Sequence, residues 1–187
     1  MKLRLGKRTL FAAGLGLACS IVATYFLCTV SADSLPQVRL NADSITPRSI
    51  EDLTGKNVAR DYAYAWRDLA EALDMNRANT LNGYFTGFAK EGFNNRISDQ
   101  RRAGIHTHYL DRGHRVEAVF YAPDGGEMQL IDQAKLEVQI LDGERVIYKE
   151  DGTQYFLVLM TPGADRWFVR ALQPVPEAEL HDLKASK

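Results

Sequence analysis

At Gly104 the spacing of apolar residues changes period, and that change leaves few folds open to the chain. From Val58 onward apolar positions recur every three or four residues; beyond Gly104 they recur every two. Helices first and long strands with short turns afterwards is the pattern of an α+β domain, its helices gathered on one face of an antiparallel sheet.

Val58, Tyr62, Ala65, Trp66, Leu69, Ala72 and Leu73 form one stripe of a helix predicted from about Asn57 to Asp74, with Arg60, Arg67, Glu71 and Asp74 opposite. Asn76 is placed to N-cap a second, shorter helix over RANTLNGYF. A third begins near Thr86, turns Phe88, Ala89, Phe93 and Ile97 inward, and leaves through a left-handed Gly104. Next, Val116, Ala118 and Phe120 alternate with Glu117, Val119 and Tyr121. A turn at Pro123–Gly126 precedes a strand that sets Met128, Leu130, Ala134, Leu136, Val138 and Ile140 on one face. Asp142-Gly143 signals a hairpin into an extended run, Arg145–Met160, in which Asp151-Gly152 reads as either a bulge or a second turn. A last strand, Arg166–Gln173, puts Trp167, Val169 and Ala171 together.

Upstream, Thr9–Val30 is 22 residues without a charge, about 33 Å as a helix and enough to cross a bilayer core. Lys2, Arg4, Lys7 and Arg8 precede it, so the positive-inside rule keeps the N-terminus in the cytoplasm and exports the body. Three readings compete: an uncleaved single-pass anchor, a signal cleaved after Ala32, or a lipidated Cys19. The length exceeds an ordinary signal core and favours the anchor, while Gly16 stands where a lipidation motif usually has Leu. All three place the body on the extracytoplasmic side, periplasmic or extracellular, and secreted if cleaved. Asp33–Ser44 reads as a tether, with Thr46-Pro47 able to start a short helix ending near Gly55. Without the four leading cations, 19 of the 23 Lys and Arg face 24 acids, so residues 33–187 carry about −5. That balance argues against nucleic acid as a partner. Both cysteines, Cys19 and Cys28, lie in the apolar segment, so the body has no thiol nucleophile and no disulfide.

The order of elements, the early helix YAYAWRDLAEALDMNR and the final strand RWFVRAL resemble the NTF2-like superfamily, the ketosteroid-isomerase-like cone fold, over residues 57–173. The resemblance implies three helices packed on a curved four-stranded antiparallel sheet. It also implies a choice of roles, since that superfamily includes enzymes, ligand binders and membrane-anchored domains that only bind partners. The chain then divides into a basic stub and anchor or signal (1–32), a linker (33–56), the NTF2-like domain (57–174) and a flexible tail (175–187).

Alternation places Asp132 in the apolar row Met128–Leu136, where desolvation would raise its pKa and suit it to act as a general base. A one-residue slip would instead expose it. In the cone-type enzymes that the resemblance brings in, an acid works beside a tyrosine, which makes Tyr62 and Tyr84 its possible companions. Tyr62, Trp66, Leu69, Tyr84 and Phe88 would line such a pocket, or would only fill the space between helix and sheet. His106 and His108, with Asp111 and His114 in HTHYLDRGH, have the two-residue spacing of some metal sites, but a solvated strand needs no metal and none is expected. No Ser–His–acid set or phosphate loop stands out, and no cofactor is implied. The leading expectation is therefore a non-catalytic, membrane-tethered domain that binds a protein partner or its own copy, with Val119, Tyr121, Ile131 and Leu141 on the outer sheet face as the interface. The alternative is a small-molecule binder, or a cone-type lyase or isomerase, using Asp132 with a tyrosine.

Overall fold

The computed structural model of the chain describes residues 35–180. The apolar segment 9–30, the stub before it, and residues 181–187 lie outside the described residues. Among the described residues no helix is long and apolar enough to cross a membrane.

The described residues form an α+β cone. Its elements are β1 (Val38–Asn41), β2 (Thr46–Pro47), α1 (Asp52–Asp74), a 3-10 helix (Ala78–Gly83), α2 (Gly87–Ala103), β3 (Ile105–Tyr121), β4 (Met128–Asp142), β5 (Arg145–Pro162), β6 (Trp167–Pro174) and a closing 3-10 turn (Glu177–Glu179). The sheet order is β1-β3-β4-β5-β6, with β2 also beside β3. Strands β3 to β6 pair antiparallel with neighbours in sequence. Asp151-Gly152 is neither bulge nor turn: both residues pair in register with β4 within a continuous β5.

Two expectations fail at the N-terminal edge. The stretch predicted as a tether supplies β1, which pairs parallel with β3 from Val38↔His114 to Asn41↔Glu117. Thr46-Pro47 likewise starts no helix but pairs parallel with Phe120 and Tyr121, and the long helix begins at Asp52, earlier than its apolar stripe suggested. The sheet is thus six-stranded and mixed, not four-stranded and antiparallel. A strand of four residues with one half-buried face, Val38 and Leu40, is too short for its period to stand out.

Helix α1 lays Val58, Tyr62, Ala65, Trp66, Leu69, Ala72 and Leu73 on the inner sheet face, each at most 3% exposed. There they meet Met128, Leu130, Ala134 and Leu136 of β4 and Val158 and Met160 of β5. Each such Leu, Val or Met stabilises the fold by about 1.5–3 kcal/mol through the area it removes from water. Asn76, expected as an N-cap, instead ends α1 in the left-handed region at φ 52°, a conformation Asn tolerates better than most residues. Arg77 N–H then returns to Ala72 O at 2.8 Å, and Gln100 of α2 donates to Leu73 O at 3.0 Å and to Asn76 Oδ1 at 2.7 Å. This contact locks α2 to the end of α1. Phe88, expected inward, is 75% exposed. The inward row of α2 is Ala89, Phe93, Ile97 and Gln100, and Phe88 stands one residue, about 100°, off it.

Two bulges set the faces of β3. Between Asp111 and His114 the strand advances three residues while β4 advances two, and between Ala118 and Phe120 it advances two while β4 advances one. Each extra residue reverses the alternation. The second bulge turns Tyr121, expected on the outer face, into the core at 5% exposure, beside Trp167. The first depends on Gly113, whose φ of 112° side chains rarely adopt, and whose added Cβ would stand 3.3 Å from Gln37 O. Gly113→Ala is expected to lower stability by about 1–3 kcal/mol, read as a fall in urea midpoint at unchanged m-value.

Candidate functional site

The inner face of β4 carries one acid. Asp132 lies in the row Leu130, Asp132, Ala134 and is 0% exposed. From α1, Tyr62 reaches it, donating its hydroxyl to Asp132 Oδ2 at 2.8 Å. His114 arrives from β3, with Nδ1 2.8 Å from Asp132 Oδ2 and Nε2 2.8 Å from Asp111 Oδ2. The bulge at Gly113 makes this possible, since residues three apart on a regular strand point to opposite faces. Trp66 tilts over the imidazole at 4.6 Å between ring centroids, and the Tyr62 ring meets it edge-on at 5.9 Å. The first-helix rings are packed around a buried imidazole rather than around open space.

Both imidazole nitrogens face carboxylate oxygens. A neutral ring has one N–H, so its lone pair would point at one of the acids; the imidazolium donates to both. Burial alone pulls the His114 pKa down, but the hydrogen bonds to Asp111 and Asp132 and their charges outweigh it, and the pKa is pushed up to about 9. The same burial, with the negative charge of Asp132, drives the Tyr62 phenol well above its ordinary value and keeps it a donor. Asp132 Oδ1 has no hydrogen-bond partner among the described residues.

The other expected residues separate. Leu69 is core, 1% exposed. Tyr84 does not join Asp132: it is half-buried, stacks on Tyr64 at 5.3 Å, and lies under the Arg166 guanidinium at 5.4 Å. His106 and His108 share a face and both approach Asp74, at 3.9 and 3.3 Å. Among the described residues no group of three or more His, Cys, Asp or Glu is placed to hold a metal ion. Val119 and Leu141 are half-buried near opposite ends of the long strands, and Ile131 is 4% exposed, so with Tyr121 turned inward the four make no common patch. Three cavities, of about 380, 170 and 230 Å³, open on the surface, and none is lined by Asp132, Tyr62, Trp66, Leu69, Tyr84 or Phe88.

The pairing of His114 and Asp111 with Asp132 is not visible in the spacing, though a glycine between the two β3 residues is the one local hint of a reversed alternation. Sequence reasoning also misses Asp61. It is 1% exposed on α1, accepting the Trp167 N–H at 2.8 Å and the Arg60 guanidinium at 2.9 Å, which ties the helix to the start of β6.

No family model matches the sequence, and no curated protein matches it. Solved structures do. The intermembrane-space region of the chloroplast protein ARC6 is similar at a TM-score of 0.55 and 14% identity, over 69% of this chain and 100% of that one. The likeness is one of fold. ActVI-ORFA from Streptomyces coelicolor and Aln2 from another Streptomyces species align at 14% identity over 63% and 73% of this chain and 93% and 99% of theirs. Their TM-scores of 0.44 and 0.45 are too low to bear an argument.

Two measurements test the buried cluster. His114 has a folded pKa above its unfolded value, so its stabilisation is fully present below pH 6.5 and lost as pH rises through about 9. Unfolding free energy in urea is expected to fall by roughly 3 kcal/mol across that window, and His114→Gln should remove the slope; a flat profile in the parent protein would contradict the imidazolium. Tyr62→Phe strips one donor from a buried carboxylate and is expected to cost about 1–3 kcal/mol, whereas His114→Ala leaves two acids uncompensated and should cost about 3–5 kcal/mol.

Proposed function

We propose that this chain is a non-catalytic NTF2-like domain, held at the extracytoplasmic face of a membrane by the apolar segment 9–30, that binds another protein or a second copy through its outer surface. The observation that supports this reading best is the filled cone. A general base needs a substrate within hydrogen-bond reach and room to hold it. Here Asp132, Tyr62 and Trp66 are 0%, 1% and 3% exposed, and the acid is engaged by a tyrosine and a histidine. The chain's exposed large apolar side chains include Val146, Ile147 and Tyr148 at the β4–β5 hairpin and Leu110 on β3. The ARC6 region, similar in fold, is an intermembrane-space region, so this architecture occurs beyond a membrane in that protein.

One observation favours the second reading, a lyase or isomerase using Asp132 with Tyr62: inside the cone Asp132 Oδ1 has no partner among the described residues. That chemistry requires the cone to open. With Trp167→Phe, Trp66 becomes the only tryptophan, the chain having two. The expected result is blue-shifted emission and acrylamide quenching several-fold weaker than for free tryptophan; quenching near that of free tryptophan would revive the enzyme. The binding role itself is tested by photo-crosslinking from exposed positions of the full chain in its native cells, including 110, 147 and 148. A discrete adduct with one protein or with a second copy is expected, and no adduct at any position counts against the reading.

A further inference from the structure

We propose that the outer face of the sheet carries a binding trough for an acidic, extended peptide segment of a partner protein, built around Arg39 and Arg115. This rests on the binding role proposed above and names the surface.

The sheet register lines the trough up. Arg39 on β1 is the register partner of Arg115 on β3, Arg115 of Gln133 on β4, and Gln133 of Tyr155 on β5. Four neighbouring strands at about 4.8 Å each make a row of roughly 15 Å across the sheet. Two surface cavities, about 380 and 170 Å³, share Arg39, Arg115 and Gln133 and so form one depression. The smaller adds Lys135 and Arg112, and the larger adds the half-buried Leu180, its apolar side, together with Ile131, which is only 4% exposed.

Its charge is unbalanced. Arg112 is neutralised by Glu137 at 2.8 Å and Asp151 at 3.2 Å. Glu117, the acid lining the trough, already accepts from Ser44. The side chains of Arg39, Arg115 and Lys135, all exposed residues, have neither hydrogen bond nor ion pair among the described residues. Like charges directly opposite on paired strands destabilise a sheet, and here they sit on a body whose net charge is about −5. Three cations without an ion pair outnumber Glu117 in the lining and Glu177 at the Tyr155 end of the row, and the surplus is the electrostatic complement of carboxylates.

The shape selects a peptide. Fifteen ångströms matches four or five extended residues, longer than a single small oxyanion. Alternating side chains of such a segment would set acids toward the guanidiniums and apolar groups toward Leu180. A flat bilayer surface has no means of entering a concave row. The polar end is already formed, since Gln133 Nε2 donates to the Tyr155 hydroxyl at 3.2 Å and that hydroxyl donates to Glu177 at 3.2 Å. This second bond draws the closing 3-10 turn over the β5 side of the row.

The test uses the full chain and a fluorescent, end-capped Glu-Leu-Glu-Leu-Glu peptide, with the Gln-Leu-Gln-Leu-Gln peptide as its neutral match and phosphatidylglycerol-containing vesicles as the alternative anionic surface. The acidic peptide is expected to bind about tenfold or more tighter than the neutral one and to weaken as salt is raised. The double variant Arg39→Gln, Arg115→Gln should lose about tenfold in affinity while melting as the parent does. Lys135→Gln provides a second, milder variant, and Tyr148→Ser on the distant hairpin should bind normally. Equal binding of the two peptides, no binding, indifference to the arginine variants, or vesicle binding in place of peptide binding would each overturn the trough. Photo-crosslinks found at the hairpin but not around Arg39 and Arg115 would leave the general binding role standing and sink only this assignment.

Discussion

The His114 imidazolium, held between Asp111 and Asp132, is the interaction on which the rest of this domain depends. Its hydrogen bond to Asp132 joins β3 to β4 inside the cone, its bond to Asp111 spans the bulge within β3, and the Tyr62 hydroxyl brings α1 onto the Asp132 carboxylate. Two neighbouring strands and a helix whose Tyr62 stands 70 residues before Asp132 therefore meet at one buried cluster. Such a cluster is costly to desolvate, and its mutual attraction offsets that cost only while every member is in place. It acts less as a source of net stability than as a condition on register: a one-residue slip of β3 or β4 would bury the charges without partners.

The same cluster explains why the interior is closed. A ring of tyrosine, tryptophan and histidine occupies the space between α1 and the concave sheet, with Trp66 over His114 and its other edge on Phe156 and Tyr109. An imidazolium is well placed beneath an aromatic face, which offers it electron density where no water can reach. The Asp132 carboxylate is thereby shut off from solvent, and the polar side chains that solvent reaches lie on the outer surface. There the unpaired charges and exposed apolar side chains lie on two separate regions, the row at Arg39 and Arg115 and the tip of the β4–β5 hairpin.

Asp132 is legible because it interrupts an otherwise apolar row of period two, and the apolar stripe of α1 is legible because seven positions obey one helical period. Phe88 is misplaced by the sequence pattern because one residue of helix phase separates it from Ala89, and hydrophobicity alone does not choose between them. Tyr121 is misplaced because a bulge at Val119 reverses the alternation, and bulges leave little trace in composition. Val38–Asn41 passes for a tether because a short edge strand gains its stability from the neighbour it pairs with, not from its own residues. His114 and Asp111 stand out only as part of a histidine-rich stretch, because their partner lies 18 positions beyond His114, on another strand.

By itself the sequence determined the switch from helix to strand at Gly104, the inward stripe of the first long helix, the hairpin at Asp142-Gly143 and the absence of thiol chemistry in the body. These follow from local periodicity and residue chemistry, which need no knowledge of the neighbours. Tertiary structure alone decided the parallel strands at the edge, the protonated histidine between two acids, and the two arginines side by side on the outer face, without an ion pair among the described residues. Each depends on which strand lies next to which and in what register, and that is set by long-range packing.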